Sequence, residues 1–318
     1  MKNRQKFRLL TRSDFDGLVC AMLLRELDIM DDIKFVHPKD VQDGKIQVTH
    51  KDILTNLPYV KEAFLCFDHH DSEEIRNEST DMENYVLCAD ASSAARVVYN
   101  YYGGADKFPH FKEDLLRAVD KADSGRFTRD DVLDPQGWEF LSFLMDPRTG
   151  LGRFREFRVS NYQLMMDLID YCCDHSQEQV LTHPDVRERV QLYNEHTPKA
   201  IEQIRRCTTV HGNLAVLDLR NEDVIFAANR FLIYALFPEC NISMHVIWGK
   251  DRVNTVFALG KSIFDRSCAT SIGELCLSHG GGGHDAAGTC QVDNDRADQV
   301  QQELIERINQ DAGALTCA

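Results

Sequence analysis

Three groups of residues in this chain combine types and spacings that could do chemistry. Asp14 and Asp16, in "RSDFDG", are carboxylates one residue apart. With a strand before them and a helix from Leu18 to Leu27 after them, both project from one turn toward a common point. A cation suits that point, although the same residues could cap the helix, where Asp is favoured. Asp68, His69 and His70 follow the apolar run "AFLCF" directly. An acid and two imidazoles at the end of a buried strand are costly without partners. Imidazole with carboxylate suits Mn²⁺, Fe²⁺ or Zn²⁺; the other reading is a loop whose polar groups pair among themselves. The third group is "GGGGHDAAG", Gly280 to Gly288. Its missing side chains let backbone N–H groups approach an anion as a nest, with His284 as an added donor. A flexible hinge is the competing reading.

The elements that must position these groups fall into two textures. In the first third, "KFRLLT", "IKFVHP", "IQVTHKD" and "EAFLCFDHH" read as strands separated by turns and helical patterns. Such alternation predicts an α/β domain on a mostly parallel sheet, with ligands outside the carboxyl ends of the strands. From Ser92 to about Cys173 the pattern is largely helical, including "EDLLRAVDKAD". The charged helical stretch 184–206, with Pro198 near its middle, reads as a connection. Beyond it, "NLAVLDL", "ISMHVIWG" and "VNTVFALG" read as strands, with "IGELCLSH" and "ADQVQQELIERIN" as helices, predicting a smaller α+β domain. The expected boundaries are 1–183, a linker at 184–206, and 207–318. The active site is expected in the cleft between the two domains.

Bulk properties narrow the function. Thirty-six basic against fifty-one acidic residues leave a net charge of −15. A protein tracking long nucleic acid or polyphosphate would carry a basic stripe, so a small anionic ligand is expected and long nucleic acid is not. No apolar run approaches the roughly 18 residues of a membrane span, and the basic N-terminus lacks the apolar segment of a signal peptide. Eleven scattered cysteines without a C-x-x-C pair read as reduced core residues. A cytoplasmic protein is expected.

Taken in order, "RSDFDG", Asp68-His69-His70, "DSGRF" and "GGGGH" closely resemble the motifs of the DHH phosphoesterase superfamily with its DHH-associated C-terminal domain. The resemblance spans nearly the whole chain. It implies two divalent ions, typically Mn²⁺, held by Asp14, Asp16, His69 and Asp123. It also implies a bridging Asp, for which Asp52 is best placed; Asp40 and Asp43 are weaker candidates. His70 would face the substrate phosphate, and Asp68 would fix the histidines from behind. The family often has a His four residues before the first Asp. Leu10 stands there, which weakens the first metal site; His37 or His50 could substitute.

The same resemblance implies in-line attack on phosphorus by a water activated between the ions. It assigns Gly281, Gly282, Gly283 and His284, with Lys261, Ser262 and Arg126, to substrate binding. The expected activity is hydrolysis of dinucleotides or very short oligoribonucleotides, such as linear products of cyclic dinucleotides. Polyphosphate, cyclic dinucleotides and phosphoadenosine phosphate are rival substrates. A non-catalytic nucleotide-binding regulator is the rival class.

Overall fold

The computed structural model describes residues 5–69, 82–154 and 156–315. Its elements run β1 (Phe7–Thr11), α1 (Phe15–Glu26), β2 (Met30–Phe35), α2 (Pro38–Gln42), β3 (Asp52–Thr55), β4 (Leu65–Asp68) and β5 (Tyr85–Leu87). Helices α3 (Ala94–Tyr101), α4 (Glu113–Ser124), α5 (Arg129–Leu133), α6 (Gly137–Met145), α7 (Asn161–Asp174), α8 (Gln177–Thr182) and α9 (Pro184–Cys207) follow. The C-terminal elements are β6 (Thr208–His211), β7 (Leu214–Asp218), α10 (Leu232–Leu236), β8 (Ile242–Trp248), β9 (Thr255–Lys261), α11 (Ile272–Ser278), β10 (Gly282–His284), β11 (Ala287–Val292) and α12 (Ala297–Leu315).

The first sheet has the order β2-β1-β3-β4-β5, with every pairing parallel. The chain adds β2 on one side of β1 and β3 on the other. Such a reversal leaves a crevice beyond the carboxyl ends of the strands. Helix α1 leaves that crevice. Its "FDGLVCAMLL" is apolar nearly all round, and Phe15 through Leu24 are buried without a break. A Cβ at Gly17 would come within 2.1 Å of the Arg12 carbonyl oxygen, so only glycine lets the helix turn this tightly off the strand.

The second sheet is mixed, ordered β10-β11-β9-β8-β7-β6, with β7 and β8 parallel and the other pairs antiparallel. Its core joins Ile242, Met244 and Val246 of β8 with Phe257, Ile272, Cys276, Val300, Leu304 and Ile308. Helices flanking a parallel sheet, followed by a smaller α+β portion, are the architecture expected from the alternation of patterns. No helix among the described residues is long and apolar enough to cross a membrane.

One strand differs from expectation. The segment "IQVTHKD" does not form a strand; β3 begins at Asp52 and runs through "DILT". All four of its residues are buried, including the polar Asp52 and Thr55 at its ends, so no alternation marks it, as in a sheet covered on both faces. The compact units also divide differently from the expected boundaries. One comprises 1–126 with 135–192, the other 127–134 with 193–318. In the second unit, Arg129 Nη2 donates to the Ala235 carbonyl (2.8 Å) and Asn229 Nδ2 to that of Val132 (2.9 Å). The stretch 184–206 lies within α9, a continuous helix that includes Pro198.

Candidate active site

The carboxyl ends of β1, β3 and β4 and the amino ends of α1 and α3 supply the site. Asp14 is the N-cap of α1, and its Oδ1 accepts from the Gly17 N–H at 3.0 Å. Capping occupies this oxygen, the Arg12 guanidinium faces the other at 3.1 Å, and Asp14 is not part of the metal-competent cluster among the described residues. Asp16, in the first turn of α1, is buried. Its Oδ1 accepts from Ala95 N (2.8 Å), and its Oδ2 from Ala94 N (3.1 Å) and Asn56 Nδ2 (2.9 Å). Two of these donors are the first amides of α3, which favour a negative charge. His69 follows β4; its Nε2 lies 2.7 Å from an Asp123 oxygen and its Nδ1 3.3 Å from the Ala91 carbonyl oxygen. Asp123 comes from the last turn of α4.

Ligand atoms of Asp16, His69 and Asp123 all lie within 4.8 Å of one another. Their electrostatics are those of a crowded acidic nest. Burial, with Asp123 nearby, raises the Asp16 carboxyl to about 7. Burial likewise raises Asp14, against the opposing charge of Arg12. Burial alone would lower the His69 imidazole, but the bond to Asp123 and the charges of Asp123, Asp16 and Asp68 outweigh it and hold the group at about 9. One imidazole and two carboxylates within bonding reach of one point fit a divalent cation.

The remaining sequence candidates fall in different places. Asp68 is buried at the end of β4, accepting from the His69 N–H at 2.8 Å and from Tyr85 Oη at 3.5 Å. That position suits an acid that fixes the backbone of His69 rather than one open to a ligand. His70 lies outside the described residues. Asp52 is a correction. It sits at the amino end of β3, opposite Arg8 of β1, while Thr55 opposite Thr11 marks the active end. Three residues of strand span about 10 Å, and the Asp52 carboxylate is taken by Arg8 (2.7 and 3.0 Å) and by Thr49 (2.6 and 3.0 Å). Asp40 and Asp43 pair with Lys45 and Lys39 on the surface. Leu10 packs with Val36, Leu54 and Cys66 in the apolar core, so position 10 does not present a side chain to the cluster. His37 caps α2 through Nδ1, and His50 lies in the exposed turn before β3.

The residue at the active end of β3 is Asn56, buried and with φ of 54°. Sequence reading passed over it because the strand was placed too early. Read as "DILT", the strand would have ended against Asn56. Arg12 is the other missed residue. Its Nε lies 3.1 Å from Asp14 Oδ2 and its Nη1 3.5 Å from Asn56 Oδ1. Arg148, paired with Asp146, adds positive charge that Asp14 feels.

In the second unit, the glycine-rich motif is a β-hairpin rather than a free nest. Gly282, Gly283 and His284 pair with Thr289, Gly288 and Ala287. A Cβ at Gly281 would fall 2.0 Å from the Thr289 carbonyl oxygen, and Gly283 has φ of +158° with a Cβ site 2.3 Å from that of Ala287. Close packing, not hinge motion, explains these glycines. His284 is exposed at the hairpin end. Lys261 Nζ bonds Asp285 Oδ2 at 2.7 Å, and Ser262 Oγ accepts from the N–H groups of Phe264 and Asp265. Arg126 is exposed beyond α4.

The chain is 56% identical to a pGpG-specific phosphodiesterase, PggH from Vibrio cholerae, with 96% of this chain covering 100% of that one at a TM-score of 0.85. This chain belongs to the DHH phosphoesterase superfamily. As a DHH protein it is an enzyme, a hydrolase of phosphodiester bonds of the metal-dependent class. The same fold recurs at 12% identity in an exopolyphosphatase-related protein from Bacteroides fragilis (TM-score 0.56, covering 96% of this chain and 93% of that one). It recurs at 11% in RecJ from Thermus thermophilus in complex with Mn²⁺ (TM-score 0.54, covering 96% and 52%). No family model and no curated protein matches the sequence.

Proposed function

We propose that this DHH enzyme hydrolyses the linear dinucleotide pGpG, adding one water and releasing two molecules of GMP. The observation that carries the reading is full-length identity of 56% to a phosphodiesterase specific for that dinucleotide. It is supported by the Asp16–His69–Asp123 cluster at the sheet's switch point and by a net charge of −15, which disfavours long polyanions.

We assign a divalent ion, Mn²⁺, to Asp16, His69 and Asp123. Bound there, it would polarise the phosphate and lower the pKa of the attacking water. The count of two ions implied by the sequence needs a bridging carboxylate that Asp52 does not supply. The chain's own groups hold this arrangement. The α3 amides and Asn56 fix both oxygens of Asp16. Asp68 fixes the main chain at His69. Arg12 and Asp14 form a paired polar edge beside them. His70 is assigned to the substrate phosphate. Gly281, Gly282, Gly283 and His284, with Lys261, Ser262 and Arg126, are assigned to substrate binding. Asp285 neutralises Lys261 and would have to yield to a phosphate. None of the described cysteines is in a disulfide, which supports a cytoplasmic setting.

The test is a ladder of 5′-phosphorylated oligoribonucleotides incubated with Mn²⁺. GMP release fastest from pGpG is the expected result. Equal rates on pGpG, pApA and ten-residue strands would remove the dinucleotide assignment while keeping the enzyme class.

A further inference from the structure

The two oxygens of Asp16 are largely committed by the protein itself. A carboxylate offers about four lone-pair sites, two on each oxygen. Oδ2 accepts from both Asn56 Nδ2 and Ala94 N, at 2.9 and 3.1 Å, and is saturated. Oδ1 accepts from Ala95 N at 2.8 Å and keeps one site, which the Cys20 thiol, a weak donor 3.9 Å away, does not fill. One open site serves one ion, the one that His69 and Asp123 also reach. A second ion beside it would need a bridging carboxylate and an open flank. The carboxyl end of β3 instead offers Asn56, whose amide is neutral and whose N–H is turned toward Asp16. The flank is occupied by Arg12, 3.1 Å from Asp14 and 3.5 Å from Asn56. A guanidinium stays charged at every working pH and repels a cation at that distance.

We infer that this chain holds a single divalent ion, at Asp16, His69 and Asp123, and that the Arg12 guanidinium supplies the positive charge a second ion would bring to the substrate phosphate. The inference rests on the metal assignment above and deepens it. Arg12 suits the role because its planar fork can grip two phosphate oxygens while Asp14 holds it in place. Asn56 acts as a positioning residue by fixing Asp16 in the orientation that leaves Oδ1 for the ion.

Calorimetric titration of the metal-stripped full-length protein with Mn²⁺, and EPR of the same samples, test this. Saturation at one Mn²⁺ per chain with a spectrum free of exchange coupling is expected. Arg12→Ala should bind that ion about tenfold more tightly, because a neighbouring cation is gone. The same variant should lose roughly a hundredfold in pGpG turnover, because a fixed charge at the phosphate is gone. A residue with a merely structural role would not give that opposition. Arg12→Ala combined with Asn56→Asp should admit a second, exchange-coupled Mn²⁺. If that variant does not fold, the count for the unaltered protein still decides. Two coupled ions in the unaltered protein would overturn the inference alone. No bound ion would overturn the metal assignment as well.

Discussion

At the scale of single residues, the site is a balance between buried acids and the cations that answer them. Asp123 lies close enough to Asp16 to raise its pKa, and it draws His69 into an ion pair. Asp123→Asn should therefore abolish tight Mn²⁺ binding and cut turnover by at least about a thousandfold. It should leave the metal-free protein folded, because it also removes a like charge beside Asp16. Thermal melts with and without Mn²⁺ check both halves, and a large loss of metal-free stability would contradict them. The pH dependence has a definite sign. The folded, metal-free protein keeps protons on Asp16 up to about 7 and on His69 up to about 9. The unfolded chain releases them near about 3.9 and 6.5. The folded state thus binds more protons, and the stability of the metal-free form falls as pH rises, first through Asp16 and then, between 6.5 and about 9, through His69. Mn²⁺ must displace those protons, so its affinity should climb over roughly pH 6 to 9 and then level off. Melting and titration series across that range read both trends; a flat affinity would mean that His69 is not a ligand.

At the scale of elements, the exchange of Asp52 for Asn56 shows where sequence reading stopped. The acids of "RSDFDG" were legible because a strand, a tight turn and a buried helix surround them in the sequence itself. Asp68 and His69 stood out at the end of a clearly marked apolar strand, whereas Asp123 was singled out only through the resemblance that "DSGRF" carries. Strand β3 was not legible, because its four residues are all buried and show no alternation, while the polar "IQVTHKD" before it imitated a strand. Register then decides what sequence could not, since Arg8 opposite Asp52 puts that acid at the wrong end of the sheet. Asp52→Ala should consequently cost about 1–3 kcal/mol of stability by leaving Arg8 and the Thr49 amide without their acceptor. Its kcat should stay within about twofold of the unaltered value once folded protein is counted. A thousandfold loss of activity with unchanged stability would restore Asp52 as a ligand. The hairpin makes the parallel case in the second unit. Gly281→Val would drive a side chain into the Thr289 carbonyl and Cys290, and should destabilise that unit by several kcal/mol. Limited proteolysis should then release fragments cut near β10 and β11.

At the scale of the whole molecule, the net charge favours a small anionic substrate. A surface carrying −15 repels polyanions at long range, so a dinucleotide is reached with less electrostatic resistance than a long strand. The two-unit division, with 127–134 joining the second unit directly after the Asp123 motif, was not legible from composition, since 127–134 holds only the short helix α5 and the later change of unit falls inside the continuous helix α9. The most direct test of the account is the rate of GMP release from 5′-phosphorylated strands of two to ten residues under Mn²⁺, with Asp123→Asn in parallel. The account predicts rapid cleavage of pGpG, a steep fall in rate with length, and silence in the variant. Turnover that persists in Asp123→Asn, or that rises with strand length, would contradict it.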